Sequence, residues 1–130
     1  MSILNLKNIL VADTITCGGV FAIGLFAAAP VGALLGLPAN IVMIGGWICL
    51  AAALLMVVAA RQAVPSPALV KLIALGNLGW VAASLGVVGT FSGTMTGLGL
   101  AVVIAQAIGV FAFAVLEWKA AAADGRALLV

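Results

Sequence analysis

Four long apolar stretches, separated by short breaks, dominate the chain; they cover approximately residues 9–35, 39–60, 69–91 and 97–118. Each is long enough to cross a hydrocarbon core of about 30 Å, which takes about 20 helical residues. None alternates apolar and polar residues with a period of two, and a segment in lipid must satisfy its own backbone hydrogen bonds. The pattern predicts an all-α membrane protein, a four-transmembrane-helix bundle, with residues 1–130 as a single transmembrane domain.

The breaks contain residues that end helices. They read "GLPAN" at 36–40, "RQAVPSPALVK" at 61–71 and "FSGTMTGLG" at 91–99. Glycine favours a helix end, and proline cannot continue a helix that has reached it. Pro30 lies inside the first span and is expected to kink it or to end it early.

The two halves of the chain resemble each other weakly, since "GLPANIVMIGG" and "GLGLAVVIAQA" each open the returning span of a hairpin. A duplication would make the halves two parallel helical hairpins. Low-complexity apolar sequence also produces such matches by chance, and both explanations stay open.

Composition supports the membrane assignment. The chain is 67% hydrophobic and 6% charged, whereas soluble domains carry about 25% charged residues. A small soluble core could not bury so much apolar surface. The first span is interpreted as an uncleaved membrane helix, although "FAAAP" at 26–30 imitates a signal cleavage site.

All five bases fall on one side of the predicted membrane: Lys7, Arg61, Lys71, Lys119 and Arg126. The positive-inside rule then places both termini in the cytoplasm, and the expected location is a bacterial inner membrane. This bias argues against a dual-topology multidrug transporter, which needs a nearly balanced charge distribution.

A few polar side chains interrupt the apolar spans. Asn77, Trp80 and Ser84 share one helical stripe of the third span, and Gln106 lies near the middle of the fourth. An amide that faced lipid would cost several kcal/mol, so these groups are expected to face inward. They act either as hydrogen-bonded packing between helices or as a small polar pocket that also includes Trp47 and Asp13. The sequence favours packing.

Two acids lie close to the basic side. Asp13 is expected to form a salt bridge with Lys71 or Arg61 or to be solvated, and a proton or cation relay is the alternative. Glu117, followed by Lys119, is interpreted as the cytoplasmic boundary of the fourth span.

Small residues recur at four-residue spacing and predict surfaces of close helix–helix packing. They are Gly32, Gly36, Gly89, Gly93, Gly97, Ala101, Ala105 and Gly109.

Residues that carry catalysis are scarce. The chain has no histidine, and no phosphate-binding loop or Cys-x-x-Cys motif can be found. Cys17 and Cys49 are interpreted as packing residues. We therefore expect no enzyme, no His-ligated haem or metal, and no nucleic-acid partner, whereas a bound lipid or other lipophilic molecule is compatible with the pocket.

The segments "GNLGWVAASL" (76–85) and "GLGLAVVIAQAIGVFAFAVLEW" (97–118) resemble a recurrent type of small four-helix bacterial inner-membrane protein. That type pairs an Asn-x-x-Trp helix with a Gln-containing helix that ends in Glu-aromatic. The resemblance covers mainly the second half of the chain, and it implies the four-helix fold without implying an activity.

Two functions remain open at this point. The first is a non-enzymatic protein that acts through helix–helix contacts, as an oligomer or as an accessory subunit of a membrane complex. The second is a small transporter, channel or carrier for a small or lipophilic solute that uses the polar pocket. Membrane lipid, other subunits or a second copy are the expected partners, and the sequence favours the first function.

Overall fold

The computed structural model describes residues 3–127, and the side chains of residues 3–123. Its helices are α1 (Ile3–Phe26), α2 (Ala28–Leu35), α3 (Ala39–Arg61), α4 (Pro67–Phe91) and α5 (Gly97–Ala127), and this part of the chain contains no strand. All of them except α2 are long and apolar enough to cross a membrane. The predicted all-α, four-span fold is confirmed. The side chain of Arg126 and residues 128–130 of the tail lie outside the described residues.

The first predicted span is two helices. α1 begins at Ile3, earlier than predicted, and ends at Phe26, while α2 begins at Ala28. Pro30 has no N–H to donate to the carbonyl of Phe26, and its ring would crowd that carbonyl. The chain therefore bends at Ala27, and the expectation that Pro30 interrupts the span is confirmed.

The last helix continues past its predicted end at residue 118. Its apolar span reaches Ala123, and the helix itself continues to Ala127. Residues 120–123 are all alanine, the residue type with the highest helix propensity, so the helix continues beyond the predicted end at residue 118.

The helices pair as two hairpins, α1 with α3 and α4 with α5. The first pair crosses where two glycines meet. A Cβ placed on Gly24 would lie 2.9 Å from both the Cα of Gly46 and the carbonyl oxygen of Val42. The backbones of α1 and α3 can approach this closely only because neither crossing residue carries a side chain.

Hydrogen bonds join the two hairpins at the end of the bundle that carries no charged residues. The Thr96 amide donates to the carbonyl of Leu35 at 3.1 Å, and the Thr96 hydroxyl donates to that of Leu34 at 2.8 Å. Gly36 ends α2 with a φ of 73°, which favours glycine. A Cβ on Gly99 would lie 2.0 Å from the oxygen of Leu35, so this junction requires glycine as well.

The small-residue strips divide into two groups. Gly32 and Gly36 make close backbone contacts, as expected. The other members face outward, because α4 and α5 meet along a different face, which holds Ser84 and Gln106. These residues are exposed within the described chain, so their close packing stays a prediction that concerns contacts with another chain: Gly89, Gly93, Gly97, Ala101, Ala105 and Gly109.

Substitution by alanine, which adds one methyl group, distinguishes a glycine at the helix crossing, such as Gly24, from an exposed glycine, such as Gly109. Gly24→Ala is expected to lower the free energy of unfolding by about 1–3 kcal/mol, because the added Cβ overpacks the α1–α3 crossing. The Cβ added by Gly109→Ala would have no neighbouring atom within 4 Å. This substitution should leave the free energy of unfolding unchanged or raise it by up to about 1 kcal/mol, because alanine has the higher helix propensity. Unfolding in mixed micelles with increasing dodecyl sulfate measures both. Equal effects of the two substitutions would contradict the crossing.

Candidate functional site

Three polar side chains from three helices meet inside the bundle. Asn77 of α4 donates one amide hydrogen bond to Asp13 Oδ2 of α1, at 2.7 Å, and one to Glu117 Oε2 of α5, at 3.0 Å. Asp13 and Glu117 are 0% exposed and Asn77 is 6% exposed. These three residues are called the carboxyl–amide cluster below.

The cluster lies within the membrane-spanning part of the helices, towards their base-bearing end. Asp13 follows Lys7, and Asn77 follows Lys71, by six residues each, or about 9 Å at 1.5 Å per residue. The Lys71 ammonium lies 5.5 Å from the centre of the Trp118 ring. This is the distance of a cation–π contact at a membrane boundary.

Asp13 is not held by a base. Among the side chains of residues 3–123, no lysine or arginine forms an ion pair with it, and its hydrogen bonds join it to Asn77 and Cys17. The expected salt bridge to Lys71 or Arg61, and the alternative of solvation, are both wrong. Hydrogen bonds from an amide replace the missing cation.

Glu117 is the functional candidate that the sequence analysis missed. Its interpretation as no more than a boundary residue is wrong, since its carboxyl group is fully buried and accepts a hydrogen bond from Asn77. A signal was present: Glu117 follows Gln106 by eleven residues, close to three helical turns, so both side chains occupy one face of α5. The lysine at position 119, however, is typical of a membrane boundary, and it favoured the boundary interpretation for Glu117.

Two thiols adjoin the carboxyl–amide cluster. The Cys17 sulfur lies 3.8 Å from Asp13 Oδ1, and Cys17 and Cys49 are neighbours on α1 and α3. Both cysteines are free and buried. Across the described chain, no group of three or more His, Cys, Asp and Glu side chains is arranged to hold a metal ion.

A second group of polar side chains lies deeper in the bundle. The Trp80 indole N–H donates to Gln106 Oε1 at 2.7 Å, and Gln106 Nε2 donates to the Ser84 hydroxyl at 2.9 Å. Ser84 donates in turn to the Trp80 carbonyl at 2.8 Å. We call Trp80, Ser84 and Gln106 the indole–amide cluster. The structure thus joins Trp80 and Ser84 of the predicted stripe to Gln106, and it places Asn77 in the neighbouring cluster.

The two central tryptophans have different surroundings. The Trp80 ring reaches across to α3, where a Cβ on Gly45 would lie 3.3 Å from its Cη2 atom. Trp47 is 52% exposed and makes an edge contact with Phe21, with ring centroids 5.6 Å apart. Trp47 therefore belongs to the outer surface, and the structure separates it from the other predicted pocket residues.

A cavity of about 320 Å³ touches both clusters. All four spanning helices contribute to its wall, which is mostly aliphatic side chains. Its polar lining comes from Asn77, Trp80 and Gln106, together with the two thiols and Thr16. A molecule in this cavity would contact apolar groups along most of its surface and amide groups at one edge.

The cavity opens sideways, between α3 and α4. Most of its exposed lining residues lie on these two helices, and Thr16 lies on α1: the set is Thr16, Ile48, Ala51, Leu55, Leu72 and Gly76. They lie on helices long and apolar enough to cross the membrane, and most of them lie well inside the spans, whereas Leu72 directly follows Lys71 near the boundary of α4. The opening therefore faces the acyl chains of the bilayer.

Gln106 is the centre of the indole–amide cluster, so its removal has a larger effect than removal of Ser84. Gln106→Leu leaves the Trp80 indole N–H unpaired, and we expect the free energy of unfolding to fall by about 1–3 kcal/mol. Ser84→Ala, the matched control, keeps the indole bond and should cost less. Unfolding in mixed micelles, followed by tryptophan emission, measures both. A Gln106→Leu variant as stable as the wild type would contradict the cluster.

Comparisons with protein-family models, with curated proteins and with solved structures find no match to this chain.

Proposed function

We propose that this membrane protein is a non-enzymatic carrier for a small, lipophilic solute, located in a bacterial inner membrane with both termini in the cytoplasm. The observation that carries the proposal is the cavity that opens to the acyl chains and ends against buried amides. The sequence alone favoured helix–helix contact as the function, and the cavity reverses that preference.

The dimensions of the cavity support a ligand of one or two fused rings. Pockets for small molecules have volumes of about 300–1,000 Å³ and are largely apolar, with a few polar groups that fix orientation. The cavity has about 320 Å³, and its lateral opening offers entry from the bilayer, where a lipophilic solute concentrates. Such a solute would not need an aqueous path.

The amide groups at one edge of the cavity can recognise a polar group of the solute. Asn77 and Gln106 line the cavity, and their side-chain N–H groups donate hydrogen bonds to acceptors within the protein. A solute with a carbonyl or hydroxyl group can exchange one of these internal hydrogen bonds for one of its own, at little net cost. Solutes without a polar group would lack this exchange and should bind less tightly.

Filling the cavity tests the proposal. Menadione, a small naphthoquinone, serves as the probe, and its binding is followed by quenching of tryptophan emission in detergent micelles. We expect saturable quenching of the wild type. Ala52→Phe places a ring in the cavity and should weaken the apparent affinity at least about tenfold, equivalent to ~1.4 kcal/mol.

Leu54→Phe is the matched control, because Leu54 lies on the same helix and is exposed on the outer surface. It should bind menadione as the wild type does, and circular dichroism checks that both variants remain folded. Quenching that never saturates, or that is the same in all three proteins, would refute a binding cavity.

The outward strip on α5 favours a second candidate function, association with a second copy or with another membrane subunit. Ala101 and Ala105 are exposed, and Gly109 has open space beside it. Small residues on an exposed helix face allow a neighbouring helix to approach closely.

A bulky side chain on that strip tests the second candidate. Gly109→Leu is expected to dissociate an oligomer or a co-purifying subunit without unfolding the monomer, as measured by light scattering after size-exclusion chromatography in mild detergent. Gly86→Leu, at another open position outside the strip, is the control. A wild type that is monomeric and without partners in detergent and in nanodiscs would rule this candidate out.

A further inference from the structure

We infer that Asp13 and Glu117 together form a binding site for a single exchangeable proton, buried in the membrane beside the cavity. The inference concerns the chain without solute, and it holds or fails independently of the carrier function.

The carboxyl–amide cluster contains one buried acceptor that receives no hydrogen bond within the described chain. The two carboxyl groups offer four oxygens. Asn77 supplies a strong donor to one oxygen of each, and the Cys17 thiol is a weak donor to Asp13 Oδ1 at 3.8 Å. Glu117 Oε1 is buried and has no hydrogen-bond partner within the described chain.

A proton on Glu117 would complete the cluster. The Asp13 and Glu117 carboxyls are neighbours, because the same Asn77 nitrogen donates to one oxygen of each, at 2.7 and 3.0 Å. Two ionised carboxylates at so short a separation repel each other. A neutral Glu117 carboxyl donates to Asp13 through its own O–H, so the orphaned acceptor becomes a donor. The pair then carries one negative charge, which the Asn77 amide and the Cys17 thiol stabilise.

The groups around the pair offer no other compensation. The titratable neighbours are Cys17 on the helix of Asp13 and Cys49 on α3, and neither of these free thiols is a base that could pair with a carboxylate. α4 contributes Asn77, while Lys71 on the same helix is directed to the Trp118 ring. No described lysine or arginine is paired with either acid.

A metal cation is a poorer occupant than a proton. Sodium and similar hard cations require several oxygen ligands directed at one point. Here Asn77 presents its N–H groups to the carboxyls, and these hydrogens would point towards a cation bound between them. A proton needs two oxygens, and the cluster provides them.

Infrared spectroscopy of the purified protein in micelles at neutral pH tests the site. The wild type is expected to show one carbonyl band of a protonated carboxylic acid, shifted in deuterium oxide. Both Glu117→Gln and Asp13→Asn should lose the band, because either substitution leaves a single carboxylate with an added amide to stabilise it. Asp124→Asn removes the remaining acid of the chain and should leave the band unchanged.

Three results would overturn the inference. A wild type with no acid band at neutral pH would carry two ionised carboxylates. A band that persists in Asp13→Asn would show that Glu117 holds its proton without sharing it. A band that appears only when sodium is replaced by choline would assign the site to a cation.

Discussion

The constraint on which the bundle depends is the burial of two carboxyl groups inside a membrane, with no lysine or arginine among the described side chains paired to either. Each would be costly alone, about 2.5–3.5 kcal/mol for an acid at mid-bilayer on insertion scales. Asn77 is the residue that makes the arrangement tenable, since its single amide nitrogen carries a hydrogen atom for each acid. One side chain thereby ties α4 to α1 and to α5. No aliphatic residue in its place could do this.

The rest of the fold positions the helices so that this contact forms. The glycine crossing of α1 and α3 brings Asp13 and the two thiols to the same side of the bundle. The indole–amide cluster fixes α4 against α5 one to two turns deeper. The hydrogen-bonded loops hold the hairpins together at the far end. Between α3 and α4, where fewer contacts form, the bundle leaves the cavity. A proton site and a solute cavity that share Asn77 could influence each other through the hydrogen bonds of that one amide.

Hydrophobic patterning predicted the number of spans, the breaks and the inward direction of Asn77, Ser84 and Gln106, because lipid imposes those features on any sequence. Patterning did not predict that Glu117 is buried or that Gly89, Gly93, Gly97 and Gly109 face outward, and both have a common reason. Depth and facing direction depend on how neighbouring helices are rotated, and periodicity in a uniformly apolar helix does not encode that rotation. For this reason the sequence predicted neither the burial of Glu117, two residues before Lys119, nor the outward direction of the Gly/Ala strip on α5. Three residues of the pocket alternative, Asn77, Trp80 and Gln106, line the cavity. Its shape and its aliphatic wall were not predictable, since the cavity is the space that the rotations of four helices leave unfilled.

The most direct test of the central contact is nuclear magnetic resonance of the asparagine side-chain amides. The chain has four asparagines, at positions 5, 8, 40 and 77, so selective ¹⁵N-asparagine labelling in micelles gives few signals, and Asn77→Gln identifies the relevant one. The account predicts that the Asn77 side-chain hydrogens exchange slowly with deuterium oxide and that both shift in Asp13→Asn and in Glu117→Gln. An Asn77 amide that exchanges as fast as that of Asn40, or whose signals ignore both substitutions, would contradict the account.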